Sequence, residues 1–422
     1  MISGSGHNPI SFGLNRIFYG WWIVFACFFI SFYVGSIIFY GFTAFFEPLV
    51  KEFNWSYTQV SFASSLRGVE MSFLSPLVGY LVDRLGSRRM VFWGVITVAL
   101  GLVLLSFTRS LWMFYASFIL IGFGGGGCAS VVLVKVVGNW FERDVGKAIG
   151  IMSSGFGASG LMLPVIVWLT DAYGWRMAMV ILGTGMLIIG TPLAHLIRDT
   201  PEDCGLHPDG RRAQEPSTAK PGKEKDENQG LRFRDALKNK TFICLSLAEM
   251  IRMTSTSAVV IHIMPYLSLL HIPRATAGII AGAISVMSIV GRFGFGWLAD
   301  VFNKRIMIVA AYGLTSLGML SLCFVETNWV LIVFLCLYST GYGGAMVLRA
   351  AILQETFGRE TFGRLFGLVL GAAAAGGVIG PTLAGLVFDT WKSYVFTWVG
   401  LSIGTALAAF LMLAVTPRKT KT

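Results

Sequence analysis

Charge is scarce in this 422-residue chain. Asp, Glu, Lys and Arg make up 13% of it, about half the usual share for a soluble domain. Cysteine is scarcer still: Cys27, Cys128, Cys204, Cys244, Cys323 and Cys336 lie scattered with no CxxC spacing, which excludes a disulfide framework or a cysteine metal site. Histidines number five, and HExxH, P-loop and Ser/His/Asp spacings are missing, so an enzyme, a metal centre or a resident cofactor has no support. A glycine string that satisfies GxGxxG, Gly122 to Gly127, lies in an apolar run with no strand before it. It reads as close helix packing, not as a dinucleotide site.

What is abundant is apolar. Hydrophobic residues reach 55%, phenylalanines number 33 and mean hydropathy is +0.70. A crossing helix needs about 20 mostly apolar residues, and the chain offers twelve such runs: 20–46, 57–82, 90–108, 112–137, 148–170, 175–197, 241–270, 277–299, 306–325, 330–354, 365–388 and 393–415. The expected fold is an all-α membrane protein of twelve transmembrane helices, with six in residues 1–197 and six in 241–422. Residues 198–240 read as a polar linker between them. Its middle, "GRRAQEPSTAKPGKEKDENQG", is expected to be disordered, and "LRFRDALKN" is expected to lie as a short helix on the bilayer surface.

The net charge of +11 would suggest nucleic acid in a soluble protein, but its distribution explains it otherwise. Of the 33 Lys and Arg, 23 fall on the side holding both termini and the linker, five on the opposite side and five inside the runs. The positive-inside rule then makes termini and linker cytoplasmic and removes nucleic acid as a partner. "MISGSGHNPISFGLNR" has no cleavage pattern after a short apolar core, so the first run is expected to stay as a helix.

The halves repeat. "GYLVDRLGSRR" after the second run matches "GWLADVFNKR" after the eighth, so Gly79 and Asp83 map onto Gly296 and Asp300. The same offset carries "GKAIG" at 146 onto "GRLFG" at 363, and Pro164 onto Pro381. The first of these loops resembles the signature loop of the major facilitator superfamily, with a degraded second copy. That resemblance implies two pseudo-symmetric six-helix bundles that rock around a site near the bilayer midplane, giving each face access in turn. From the residues alone, Asp83 sits where it can latch a cytoplasmic gate or cap a helix, Arg84 at headgroup depth, and Asp300 in the repeat.

A charge at bilayer depth costs about 2.5–3.5 kcal/mol and is a functional candidate by default. Arg67 with Glu70, and Glu249 with Arg252, stand three residues apart on one helix face, so each pair largely neutralises itself and suits a structural or gating role. A switched Arg67 to Glu249 pairing is the alternative. Arg292 has no acid within a helical turn. Its fork suits a carboxylate, against the alternative of Glu70 or Glu249 on another helix. Arg349 is also locally unpaired; it lies near the cytoplasmic end, as does Lys135, and both have stems long enough to snorkel. His262 is a candidate proton carrier, with an unperturbed pKa of about 6.5, or else a packing histidine.

Within the superfamily, "FYGWWIVFACFF" and "NWFERDVGKAIGIMSSGFGASG" resemble segments of the monocarboxylate porter and oxalate:formate antiporter group, and "DTPEDCGLHPDG" the start of its middle loop. The resemblance implies that the carboxylate-gripping basic residue of the eighth helix falls on Arg292. It also implies cavity-lining first, seventh and tenth helices, which makes Tyr40, His262, Tyr266, Tyr338 and Tyr342 candidate wall residues. Two features of proton-coupled members are missing, since a lysine falls near Tyr40 and an aspartate on Ser288. The dianion-holding lysine of the eleventh helix is missing too. The expectation is a monomeric secondary transporter of a small organic monoanion, a monocarboxylate first, in the cytoplasmic inner membrane, coupled to a proton or an exchanged anion. An exporter of amphipathic drugs is the alternative, against which "SSGFGASGLMLP" lacks the proline-glycine signature.

Overall fold

The computed structural model describes residues 18–128, 130–210, 237–325 and 327–413. Every regular element among them is helical, and ten stretches are long and apolar enough to cross a membrane. One of these, Val145–Leu196, holds two crossings. Gly174, at φ 79°, takes a left-handed conformation that breaks it. Tyr57–Leu85, 29 residues long but diluted by Arg67, Glu70, Asp83 and Arg84, completes twelve. In chain order they are α1 (Tyr19–Phe53), α2 (Tyr57–Leu85), α3 (Ser87–Ser106), α4 (Leu111–Trp140), α5 (145–173), α6 (175–196), α7 (Lys240–Leu269), α8 (Arg274–Val301), α9 (Lys304–Phe324), α10 (Trp329–Phe357), α11 (Arg364–Trp391) and α12 (Val395–Leu413).

The ends follow local chemistry. Ser56 and Gln59 form a reciprocal capping box at the start of α2, and Asn239 and Asn303 cap α7 and α9. Two boundaries differ from the sequence reading. The apolar run of α1 stops near Phe46, yet the helix continues to Phe53 because an amphipathic face buries Leu49 and leaves Lys51 and Glu52 outside. The expected loop between α10 and α11 is helical instead, so that helical backbone is continuous over Thr340–Trp391; proline, which would have forced a break, is missing from 354–364. Three π-turns interrupt α1 at Gly35–Tyr40, α6 at Met186–Gly190 and α10 at Leu335–Ser339.

In the first set of six, α1 packs on α5, and α3 on α4 and α6. In the second, α7 packs on the α10–α11 helix and on α12, and α9 packs on α10 and α12. Large apolar side chains such as Trp112, Phe293, Trp297 and Phe410 stand exposed around the rim, as lipid-facing residues do. The first part of the linker is docked. The Asp199 carboxylate accepts from the Arg88 amide (3.0 Å), Arg198 carbonyl accepts from Trp140 Nε1 (3.0 Å), and Asp209 accepts from the Glu142 and Arg143 amides. Asp199 thus meets the positive start of α3, a role the sequence reading gave Asp83 as one option. The middle of the linker and nearly all of "LRFRDALKN" lie outside the described residues.

The two sets meet along α2 with α11, α5 with α8 and α1 with α7. Backbones come close at Gly160 and Gly282, where a Cβ on either would strike the other's carbonyl oxygen. Gly282→Val is therefore expected to prevent closure at the end away from the linker. In a background freed of native cysteines, Thr43→Cys, buried in the wild type, should react with a membrane-impermeant maleimide at least several-fold faster once Gly282→Val is added.

Candidate functional site

Four helices bring polar groups to one depth, three of them charged. Glu249 lies nine residues into α7, Tyr312 eight into α9, while Arg292 and Arg349 lie nine and eight residues before the ends of α8 and α10. At 1.5 Å per residue each sits about 12–14 Å from the linker-side end of its helix.

Glu249, fully buried, is the hub. Arg252 grips it with two bonds, Nε to Oε1 at 3.0 Å and Nη2 to Oε2 at 2.8 Å. Arg349 Nη1 reaches Oε2 at 2.9 Å, and the Tyr312 hydroxyl donates to Oε1 at 2.9 Å. The pair predicted three residues apart on α7 is formed. Arg349 neither snorkels nor stands free, because it crosses from α10 to the same carboxylate. The acid also offered as an Arg292 partner is thereby taken up.

Arg292 is placed differently. Its Nε and Nη2 atoms are buried with no hydrogen-bond partner among the described residues. A helical side chain leans toward its helix N-terminus, which on α8 means toward mid-membrane. The Tyr40 hydroxyl, at the end of the π-turn of α1, lies beside Ser285 and Tyr342 within electrostatic reach of Arg292. Tyr338, in the π-turn of α10, stacks on Tyr342 with ring centroids 6.3 Å apart and lies beside Thr256. Arg252 approaches the same Tyr342 ring, its guanidinium carbon 6.0 Å from the centroid. Tyr40, Tyr338 and Tyr342 are thus brought together with Arg292 and Arg252.

His262 and Tyr266 are placed elsewhere, toward the end of α7 remote from the linker. A carbonyl only accepts, so His262 Nε2 carries the proton given to Pro381 O at 3.0 Å. Ser61, which donates to Tyr57 O, also lies 3.0 Å from Nε2, and the Tyr394 hydroxyl donates to Nδ1 at 2.8 Å. The Tyr266 hydroxyl donates to Leu322 O. The histidine therefore joins α2, α7 and α11.

It belongs to a wider closure of that face. Arg274 binds Asp171 (2.7 Å), Glu47 (3.1 Å) and the Ala44 carbonyl (2.9 Å), and Ser268 donates to Glu47. Asp389 accepts from the Thr58 hydroxyl (2.6 Å) and from the Tyr57 and Thr58 amides, and Thr43 donates to Ile261 O. Ser65 with Thr382, and Ser285 with the Gly157 carbonyl, continue it to mid-depth. All the described hydrogen bonds and ion pairs between the two sets lie here or at mid-depth. Toward the linker, Asp300 is exposed with no ion pair among the described residues, and Arg84 lies over the Tyr80 ring at 4.7 Å. The side chains of Arg67, Glu70 and Asp83 lie outside the described residues.

Comparison with known proteins agrees with this geometry. The profile of the Major Facilitator Superfamily matches residues 21–269 and 241–422. The chain belongs to this superfamily. Its architecture is similar to a bacterial homolog of the human lysosomal transporter Spinster, inward-facing and unoccupied (TM-score 0.72, 16% identity, 95% of this chain and 94% of that one). It is also similar to the nucleoside transporter NupG (TM-score 0.73, 11% identity, 93% and 99%). In sequence it is 25% identical to monocarboxylate transporter 12-B of Danio rerio over 94% of this chain and 87% of that protein. It is likewise 25% identical to monocarboxylate transporter 13 of Bos taurus (90% and 85%) and 24% to monocarboxylate transporter 2 of Mesocricetus auratus (90% and 81%). A major facilitator chain with these relatives is an integral multi-pass transporter, not an enzyme.

Sequence reasoning missed the Arg274, Glu47, Asp171 and Asp389 contacts. Each is an ordinary interfacial charge until the fold joins positions more than 100 residues apart. It also missed Tyr312 and Thr256, which carry no charge to flag them. The hub makes a clear prediction: Glu249→Gln strands two buried guanidinium groups and should cost about 3–5 kcal/mol. Thermal unfolding in detergent should show a lowered midpoint, and Arg349→Gln, which leaves Glu249 paired with Arg252, should cost less.

Proposed function

We propose that this superfamily member is a secondary transporter of a small organic monoanion, a monocarboxylate first, working as a monomer. Arg292 is its carboxylate clamp. The observation that carries this reading is the pair of buried, unpartnered N–H donors on Arg292 at mid-membrane depth. A guanidinium fork there matches a carboxylate in charge and in shape. The phenol rings of Tyr40, Tyr338 and Tyr342 give the anion an apolar wall with polar tips. The names of the relatives in fish, cattle and hamster point the same way.

The excess of basic residues on the linker and termini supports, by the positive-inside rule, a cytoplasmic location for that side, in the inner membrane on this reading. On that placement the zipper from Arg274 to Asp389 is a closed outer gate, and the site communicates with the cytoplasm. The exposed Asp300 and the neighbourhood of Arg84 then belong to an inner gate standing open. Arg349 contributes charge from the rim of the site, through Glu249. His262 and Tyr266 serve the outer gate. Substrate movement is coupled to a proton or to an exchanged anion.

Two measurements test the reading. In proteoliposomes, labelled lactate, pyruvate, glycolate, oxalate, a branched-chain keto acid and an aromatic acid are offered to wild type and to Arg292→Lys. Saturable uptake of a monoacid, lost by at least tenfold in the lysine variant, is the expected result, since Lys keeps the charge but not the fork. Uptake of none of these acids, or indifference to the substitution, would remove the anion reading. Arg274→Gln should separately raise the outward reactivity of Thr43→Cys, because it removes the ties to both Glu47 and Asp171.

A further inference from the structure

Arg292 is not the only group with donors to spare in the mid-depth chamber that it forms with Arg252, Tyr40, Tyr338 and Tyr342. Arg252 Nη1, Thr256 Oγ1 and the Tyr338 hydroxyl are each buried without a well-formed hydrogen bond among the described residues, and all three side chains are at most 2% exposed. The Thr256 and Tyr338 hydroxyls face each other, so that a bond between them uses one hydroxyl proton and leaves the other for a ligand. Such atoms are rare, because each one left unsatisfied costs about 1–3 kcal/mol. Here three occur together. Arg252 and Thr256 are one turn apart on α7, Tyr338 lies beside Thr256, and Tyr342 stands between this group and the Tyr40, Ser285 and Arg292 group.

We propose that Arg252, Thr256 and Tyr338 form a second, oxygen-binding pole of the transport site. The transported carboxylate then carries a hydroxyl or keto oxygen at the end remote from its carboxylate group. This rests on the carboxylate reading of Arg292 and deepens it. The pole suits a neutral oxygen. Arg252 has already given its Nε–Nη2 fork to Glu249, so what it presents to the chamber is the Nη1 amino group of a guanidinium whose charge Glu249 already balances. The residual positive charge of the cluster lies toward Arg349, at its less buried edge. A site with fixed donors rejects a ligand that cannot accept from them, because its own buried groups then stay unpaired.

The test is counterflow in proteoliposomes with straight-chain acids of four to six carbons. Each alkyl acid is compared with its ω-hydroxy and ω-oxo derivative and with the dicarboxylate of the same length. At one length or more, the oxygenated monoacid should show an apparent KM lower by about tenfold or more than its alkyl partner. Thr256→Val and Tyr338→Phe should each reduce that ratio by fivefold or more, and Thr256→Ser, which keeps the hydroxyl, should restore it. Equal handling of alkyl and oxygenated acids at every length would overturn the pole, as would a ratio indifferent to both variants. Preference for the dicarboxylate over the hydroxy acid would overturn its assignment to a neutral oxygen. Transport of alkyl acids without discrimination leaves the Arg292 clamp standing, whereas exchange of no carboxylate at all would overturn clamp and pole together.

Discussion

The shared carboxylate of Glu249 is what allows so much positive charge to sit deep in an apolar bundle. Three guanidinium groups at mid-membrane would cost roughly 8–10 kcal/mol if each stood alone. Glu249 holds two of them at 2.8–3.0 Å, and Tyr312 fills a further lone pair. The cluster ties α7, α9 and α10 into one piece at the depth where Arg292 enters from α8. Its cost is met by internal pairing, whereas Arg292, entering from α8, has no acid on it among the described residues and keeps both Nε and Nη2 unpartnered.

The opposite end of the molecule solves a different problem with different means. Closure there uses many modest contacts: the Arg274 bridge, the Asp389 cap on α2, the His262 knot and the glycine contact of Gly160 with Gly282. The Arg274 and Asp389 contacts are partly exposed, and pairs of that kind contribute at most about 1 kcal/mol apiece. A closure assembled from small terms is strong in sum and can be undone stepwise. A mid-membrane hub built on one buried acid cannot.

Much of this was legible in the sequence, and the limits are physical. Twelve crossings follow from apolar run length, so their order and approximate ends needed nothing further. The pair of Glu249 with Arg252 follows from helical spacing. The bond from Arg349 to Glu249 does not, since it spans α10 to α7 and depends on how those helices pack. The π-turns that present Tyr40 and Tyr338 leave no pattern in residue type, so the first and tenth helices were read as regular. His262 and Tyr266 share the seventh helix with Arg252, but they lie two to four turns further along it and so join the closure and not the chamber. The paired charges Arg67 and Glu70 fall where side chains are not described.

The charged side chains placed around the chamber, Glu249, Arg252, Arg292 and Arg349, all belong to α7, α8 and α10. The first set of helices offers it Tyr40 and, through the Gly157 carbonyl, a bond to Ser285. Among the described side chains the site is therefore lopsided: the second set supplies a charged cradle, and what the first set is seen to lay over it as a lid is polar but neutral. On the proposed carboxylate reading, the anion travels with the cradle when the halves swing and keeps its counter-charge throughout. On that same reading, what changes from one face to the other is which edge of the lid stands away from the anion, so release depends on water reaching it, and the ion pair does not have to be carried across an apolar gap.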